Sequence, residues 1–246
     1  MKLLAEARAL VGEAERAGVR LAVNQNARWA PAWRVATLLV ERGDLGDVHA
    51  VTHLIEKRFD FLAESPALDA TPHALLHDYC VHWIDASCCW LDAKQPVVVR
   101  AVERRTPAQP PASRAPWGAL VEIAYGDGSS AVVRSTGGSA SPPRCRFWIH
   151  GSEGTVRGAI LHGADHVELA RAGDVRRVPL DGEWWPDGFA GAMGELVSAV
   201  AEGREPSHSA RNNLLSLELT LAACRSAEQD GAHVSVEARG RPSARS

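Results

Sequence analysis

Lysine is scarce in this sequence, and no basic excess exists. Of the 27 basic residues only Lys2, Lys57 and Lys94 are lysines, and 30 acidic residues leave a formal net charge of -3. A chain without surplus positive charge has little with which to neutralise phosphates, so nucleic acid is not an expected partner. No apolar run approaches the roughly 18 residues that a membrane helix needs, and no signal peptide is recognisable. We expect a cytoplasmic protein with no membrane contact.

Cysteine and the common nucleotide-binding and hydrolase motifs are also limited or missing. The five cysteines are odd in number and irregularly spaced, which argues against a disulfide framework; reduced thiols are the simpler interpretation. The sequence contains no GxGxxG, Walker loop, GxSxG or HExxH motif. Gly137-Gly138-Ser139 precedes no helix and predicts a loop rather than a phosphate cradle. Cofactor-binding residues therefore cannot be assigned from a fingerprint.

The first 26 residues have the pattern of a helix followed by a strand. Apolar residues at three- and four-residue spacing predict a helix with one buried stripe over residues 3–17, ending at Gly18. Residues 19–23 are predicted to be a short strand and residues 24–26 its exit loop. Because a buried strand needs neighbours on both sides, this unit is typical of the last piece of a doubly wound sheet.

The rest of the chain changes from helical to β-rich patterns and back. Pro31 begins a predicted helix to about residue 42, a strand covers residues 48–58, and a polar stretch with two prolines precedes a helix over residues 73–91. Predicted strands follow at residues 97–104, 120–125, 130–135, 146–150, 155–160, 166–170, 175–180 and 234–236, and predicted helices at residues 189–202 and 211–230. Gly126-Asp127-Gly128 is a strong hairpin signal.

These elements predict an α+β fold. We expect one large, mostly antiparallel, open-faced sheet with helices on one face, preceded by the last helix-strand unit of a Rossmann-type α/β domain in residues 1–26. The uncovered face must be solvated or packed on a partner. The closing residues 239–246 are rich in Arg, Pro and Ser and are predicted to be disordered.

The best local candidate for chemistry is the helix that carries Asp78, His82 and Asp85. Spacings of four and three residues place the three side chains on one helical face. A carboxylate beside an imidazole can fix its tautomer and raise its basicity, which suits proton transfer with a substrate hydroxyl. The alternative is a helical Asp–His pair with a purely structural role.

Three further groups of residues are weaker candidates. His73 and His77 are spaced as in zinc sites, but His82 turns off their face and no further ligand completes a site, so we predict no metal. Residues Asn26, Arg28 and Trp29 follow the first predicted strand, where open α/β sheets bind ligands, and are candidate substrate contacts. The Trp184-Trp185 pair could line a sugar site or fill a domain junction.

Several motifs, in order along the chain, resemble the Gfo/Idh/MocA oxidoreductases. Residues 5–26 are similar to the stretch that follows the family's Glu-Lys-Pro catalytic segment, and Asp78-x-x-x-His82-x-x-Asp85 resembles its Asp-x-x-x-His signature. The likeness continues in residues 28–33, 43–48, 151–154, 203–206, 214–227 and 234–236. Each motif alone is weak, whereas the ordered set is fairly specific and covers nearly the whole chain.

The resemblance implies NAD or NADP as cofactor, a sugar or polyol as substrate, and homo-oligomers formed through the sheet. It implies that His82 and Asp78 are catalytic and that Asp85, like Asn26, Arg28 and Trp29, faces the substrate. Residues 1–26 would be a remnant of the dinucleotide-binding domain and residues 27–238 the C-terminal domain. Lys2 is too close to residues 5–6 and lacks the following proline, so it is not the family's catalytic lysine. We therefore expect a fragment that is inactive alone.

Two other functions stay open on the sequence. The chain could be a non-catalytic sugar-binding or oligomerisation module of the same fold. More weakly, it could be a lyase or isomerase that uses Asp78 and His82 without nicotinamide.

Overall fold

One large sheet organises the molecule. The computed structural model describes residues 2–140, 142–161, 163 and 165–237 of the 246-residue chain; the tail predicted to be disordered, residues 239–246, lies outside the described residues. The strands are β1 (Val48–Glu56), β2 (Pro96–Arg104), β3 (Gly118–Tyr125), β4 (Ser130–Ser135), β5 (Arg144–Gly151), β6 (Gly154–Ile160), β7 (His166–Arg171), β8 (Asp174–Val178) and β9 (Val234–Ser235).

The strand order is β8-β7-β6-β5-β1-β4-β3-β2-β9. Strands β1 and β4 are parallel, and the other neighbouring pairs are antiparallel. The predicted hairpin joins β3 to β4, where Gly128 takes a φ of +89° that a side chain would disfavour. The predicted fold class, a mostly antiparallel open sheet with helices, is confirmed.

The helices of the described residues are α1 (Lys2–Arg16), α2 (Pro31–Glu41), α3 (Asp60–Glu64), α4 (Pro66–Ala70), α5 (Val81–Trp90), α6 (Phe189–Glu202) and α7 (Ala210–Glu228). Of these, α2, α5 and α7 pack on the sheet. In the central strand β1, Val51, His53 and Ile55 are buried against α5, whereas the alternate residues Thr52 and Leu54 lie on the other, partly exposed face. No helix in the described part of the chain is long and apolar enough to cross a membrane.

The opening helix-strand unit differs from its prediction. Residues 19–23 form no strand; a single antiparallel bridge joins Ala22 to Ser209. The helix exists, but of its predicted buried stripe only Val11 is buried, while Leu3 and Leu10 are 59% and 55% exposed. The physical reason is that a strand and an apolar stripe each need a partner surface, and among the described residues α1 contacts mainly α7.

Two local details also differ. The polar stretch after β1 contains the short helices α3 and α4, and the Ser65 hydroxyl caps α4 at the Leu68 N–H, with Pro66 in the first turn. The helix predicted over residues 73–91 begins as a π-helical turn, Leu75–Cys80, and continues as α5. Such wide turns occur often at functional sites.

Candidate functional site

A cleft of about 730 Å³ opens between the π-helical turn, the end of β1 and two loops. It is lined by Lys57, Phe61, Asp78, Tyr79, His82, Leu161, Gly163, Asp165, Gly182, Glu183, Trp184 and Trp185. Leu161 has a φ of +96° in the wall of this cleft, a strained conformation for a leucine. Strained backbone, aromatic walls and a few convergent polar groups are typical of a ligand site.

His82 is held in one orientation by a residue that the spacing analysis did not select. Its Nδ1 lies 3.0 Å from the side-chain oxygen of Gln25, which is buried. Since an amide oxygen only accepts, Nδ1 carries the proton and the lone pair is on Nε2. Among the described residues Nε2 has no hydrogen-bond partner, and His82 lines the cleft. The imidazole is therefore set up as an acceptor.

Asp78 lines the same cleft but does not hydrogen-bond His82. It is exposed and keeps its hydration, whereas the buried amide of Gln25 needs a partner inside the protein. Burial lowers the pKa of His82, and the negative charges of Asp85 and Asp78 partly oppose this. The imidazole is thus neutral near pH 7, with Asp78 acting on it through charge.

The predicted substrate contacts Arg28 and Asp85 are engaged with each other. Arg28 Nε and Nη2 donate to the two Asp85 carboxylate oxygens at 2.6 and 2.7 Å. Its Nη1 donates to the Ser207 carbonyl and to Asn212 Oδ1, both at 2.8 Å, and the Ser216 hydroxyl donates to Asp85. Burial lowers the pKa of Arg28, but the charge and hydrogen bonds of Asp85 outweigh it and raise the pKa overall. This pair lies outside the cleft lining.

Asn26 and Trp29 also lie behind the cleft rather than in its lining. Asn26 Oδ1 accepts a 2.7 Å hydrogen bond from Trp184 Nε1, and so holds a residue that does line the cleft. Trp29 packs edge-on against His208 at 4.7 Å. The structure gives each of these side chains, Asn26, Arg28, Trp29 and Asp85, a partner within the protein. Their direct contact with a substrate stays a prediction.

The tryptophan pair lines the cleft. Trp184 is buried and stands edge-on to His82 at 5.9 Å, whereas Trp185 is 58% exposed. An indole face can pack on the C–H face of a sugar ring, so an exposed Trp185 beside a fixed Trp184 suits a polyhydroxy ligand. The structure therefore brings together His82, Asp78 and the tryptophans.

Sequence reasoning missed two residues of the site, Gln25 and Lys57. Gln25 stands 57 positions before His82, and no local pattern joins them. Lys57 follows β1 and lines the cleft beside Tyr79. The sequence feature that could have drawn attention to Lys57 is that it is one of only three lysines in the chain.

The histidines considered for a metal have separate partners. His73 Nδ1 lies 2.5 Å from Glu103 Oε2, and His77 Nε2 lies 3.4 Å from Cys224 Sγ. Among the described residues no group of three or more His, Cys, Asp or Glu side chains is arranged to hold a metal ion.

The glycine-rich segment of the described residues does not fit a dinucleotide. A pyrophosphate is normally cradled by backbone N–H groups where a glycine-rich turn opens a helix. Here the glycine-rich segment packs against protein: a Cβ on Gly137 would lie 2.5 Å from the Trp117 backbone, and one on Gly138 2.5 Å from Ala108. No helix follows it, since the next element is β5. No reaction step is therefore assigned to a nucleotide held by these residues.

Comparison with known proteins identifies the family to which this chain is similar. Residues 33–157 match the GFO/IDH/MocA C-terminal domain. A D-apiose dehydrogenase of Paraburkholderia graminis is 25% identical over 240 residues, which are 92% of this chain and 62% of that enzyme. The chain thus spans less than two thirds of the length of this relative.

Solved structures share the fold. An oxidoreductase from Agrobacterium radiobacter, in complex with NAD+, L-tartaric acid and magnesium, has a TM-score of 0.81 at 20% identity over 94% of this chain and 69% of its own. An inositol dehydrogenase homologue from Azotobacter vinelandii, with NADH and myo-inositol, has a TM-score of 0.73 at 16% identity over 95% and 69%. The chain belongs to the GFO/IDH/MocA family of oxidoreductases.

Proposed function

We propose that this chain is the substrate-binding side of an NAD(P)-dependent dehydrogenase that oxidises a hydroxyl group of a sugar, a polyol or a related compound. The observation that carries the proposal is His82, whose Nδ1 is held by Gln25 while Nε2 is left as an acceptor at an aromatic cleft. Family membership and the dehydrogenase names of similar proteins support the reaction class.

The residues of the cleft suit the proton half of this oxidation. Converting a C–OH group to C=O removes a hydride from carbon and a proton from oxygen. The neutral imidazole of His82 can take the proton on Nε2, and the charge of Asp78 favours the imidazolium that forms. Gln25 keeps the tautomer fixed through the step.

We propose that NAD or NADP, the hydride acceptor, is bound by a nucleotide-binding unit whose pyrophosphate cradle is not among the described residues. Support comes from the misfit of the glycine-rich segment and from the cofactors named with the two solved structures. We further propose that residues 1–26 belong to that unit and residues 27–238 to the C-terminal domain. Leu3, Leu10 and Val19 are each more than half exposed, as expected for a face that packs on a missing neighbour.

The first experiment is titration of the purified chain, following its tryptophan fluorescence, to which Trp184 and Trp185 in the cleft contribute. Sugars and polyols are expected to change the fluorescence saturably. NADH and NADPH are expected to show no saturable binding in the micromolar range, because the glycine-rich segment offers no cradle for a pyrophosphate. The variant Trp185→Ala should weaken the sugar response. Saturable NADH binding by the chain alone, or no response to any sugar or polyol, would contradict the proposal.

We also propose that the chain forms homo-oligomers through the open face of the sheet. Across five strands this face presents one row: Trp148, Thr52, Val132, Glu122 and Arg100. Trp148 and Val132 are only half-buried although they occupy the middle of a sheet. A second copy would cover them.

Sedimentation velocity tests this association. The chain is expected to sediment as a dimer or larger species in the micromolar range, and Val132→Glu is expected to shift it towards monomer, because a buried unpaired charge opposes the contact. Val197→Glu, at an exposed position of α6 away from the open face of the sheet, is the control. A clean monomer for the unaltered chain would refute the proposal.

A further inference from the structure

Lys57 occupies an aromatic recess of the cleft. It directly follows β1, and its Nζ lies 4.8 Å from the centre of the Tyr79 ring, 5.5 Å from that of Phe61 and 5.6 Å from that of Phe59. Cation–π attraction of this kind strengthens as water is excluded. The rings hold the ammonium group in place without neutralising it.

Among the described residues, Lys57 has no carboxylate counter-ion of the kind that the other two lysines have. Lys94 binds Asp127 and Asp47 at 2.6 and 3.0 Å, and Lys2 pairs with Glu6 at 3.6 Å. Among the described residues no carboxylate lies within 4 Å of Lys57 Nζ. Burial lowers the pKa of Lys57, and the groups that oppose this are Cys145 and Asp60.

Neither of those two groups neutralises Lys57. Asp60 is already bound by Arg58 Nη2 at 2.8 Å and Nε at 3.1 Å. Burial raises the pKa of the Cys145 thiol to about 12, so it is uncharged at neutral pH. Lys57 is a half-buried cation that lines a cleft and is fixed by three rings, and no carboxylate of the described residues lies within 4 Å of its Nζ. Such a group is suited to bind an anion brought by the ligand.

We propose that Lys57 is an anion subsite and that the substrate is a sugar acid, a polyhydroxy compound with a carboxylate. The inference rests on the proposed function, because it takes the cleft as the place where a polyhydroxy substrate binds. Among the described residues that line the cleft, Lys57 is the only lysine or arginine, and Asp78, Asp165 and Glu183 are the carboxylates. One cation among three carboxylates matches a single negative charge better than a doubly charged phosphate.

Titration of the full chain with matched ligand pairs tests this assignment. The pairs are glucose with glucuronate, galactose with galacturonate, and xylitol with xylonate, and glucose 6-phosphate is the second anion. At least one acid is expected to bind about tenfold or more tightly than its neutral partner, the usual effect of one charge-assisted hydrogen bond. Lys57→Met, which keeps the apolar stem, should abolish the preference of the cleft for an acid over its neutral partner.

Two further variants keep the outcome interpretable. Lys57→Arg retains the charge and should retain most of the preference, and Lys94→Met removes an ion-paired lysine outside the cleft and should change nothing. If Lys57→Met is unfolded by circular dichroism, Lys57→Gln replaces it in the comparison.

The remaining outcomes show whether the anion subsite, the proposed function or both are wrong. Neutral sugars that bind as well as their acids overturn the anion subsite and leave the proposed function standing. A preference that survives in both Lys57→Met and Lys57→Gln also overturns it, and tighter binding of glucose 6-phosphate than of any sugar acid overturns the carboxylate assignment. Failure of every sugar and acid to bind overturns both proposals.

Discussion

Replacing His82 by alanine is expected to lower kcat by about 10² to 10⁴ in an active oxidoreductase that contains this chain, the usual scale for removing a positioned acid–base group. The reason is geometric, because the structure leaves Nε2 of His82 as the acceptor at the cleft and commits Nδ1 to Gln25. Asp78→Asn should cost less, since the imidazole stays in place and loses only a nearby charge.

The measurement is steady-state formation of NADH or NADPH by a fusion of this chain to the nucleotide-binding part of a dehydrogenase relative. His77→Ala is the matched control, because His77 lies on the same helical segment but contacts Cys224 and does not line the cleft. It should retain most of the turnover. Near-full turnover in a folded His82→Ala variant would show that His82 is structural.

Removing the carboxylate of Asp85 is expected to cost about 3–5 kcal/mol of the free energy of unfolding. The Arg28 and Asp85 side chains are only 11% and 2% exposed, so the substitution Asp85→Ala leaves a guanidinium without its counter-ion in a buried place. The loss of two short hydrogen bonds adds to the penalty.

Urea denaturation gives this free energy directly. Asp78→Ala is the control, because that carboxylate is exposed and its removal should change stability by less than about 0.5 kcal/mol. The double variant Arg28→Met with Asp85→Leu should recover part of the loss, since it removes both charges together. A loss below about 1 kcal/mol for Asp85→Ala would mean that water reaches the pair.

Most strand and helix positions could be predicted from the sequence, because they depend on local patterns of apolar residues. Alternation of apolar residues located β4 at residues 130–135, and helical spacing located α6 at residues 189–202, both with the bounds that the structure shows. The same logic failed for residues 19–23. Whether an apolar segment becomes a strand depends on a partner edge, and the local pattern does not contain that information.

The site was only partly predictable for a related reason. Helical spacing predicted one shared face for Asp78, His82 and Asp85. Asp78 and His82 line the cleft, whereas Asp85 does not. The hydrogen bond to His82 comes instead from Gln25, and Arg28 is paired with Asp85, 57 positions away. Both contacts are set by tertiary packing, in which a buried polar group takes whichever partner is also buried.

The most direct test of the central claim is the protonation state of His82 in the folded chain. Nitrogen-15 NMR of the histidine rings, assigned with His82→Ala, reports both the tautomer and the pH titration. We expect a neutral ring protonated at Nδ1, with a midpoint below the ordinary pKa of 6.5 because burial disfavours the imidazolium. Addition of a bound sugar or sugar acid should shift the Nε2 resonance. A ring protonated at Nε2, a midpoint above 6.5, or an Nε2 signal that no ligand moves would contradict the assignment of His82 as the proton acceptor of the cleft.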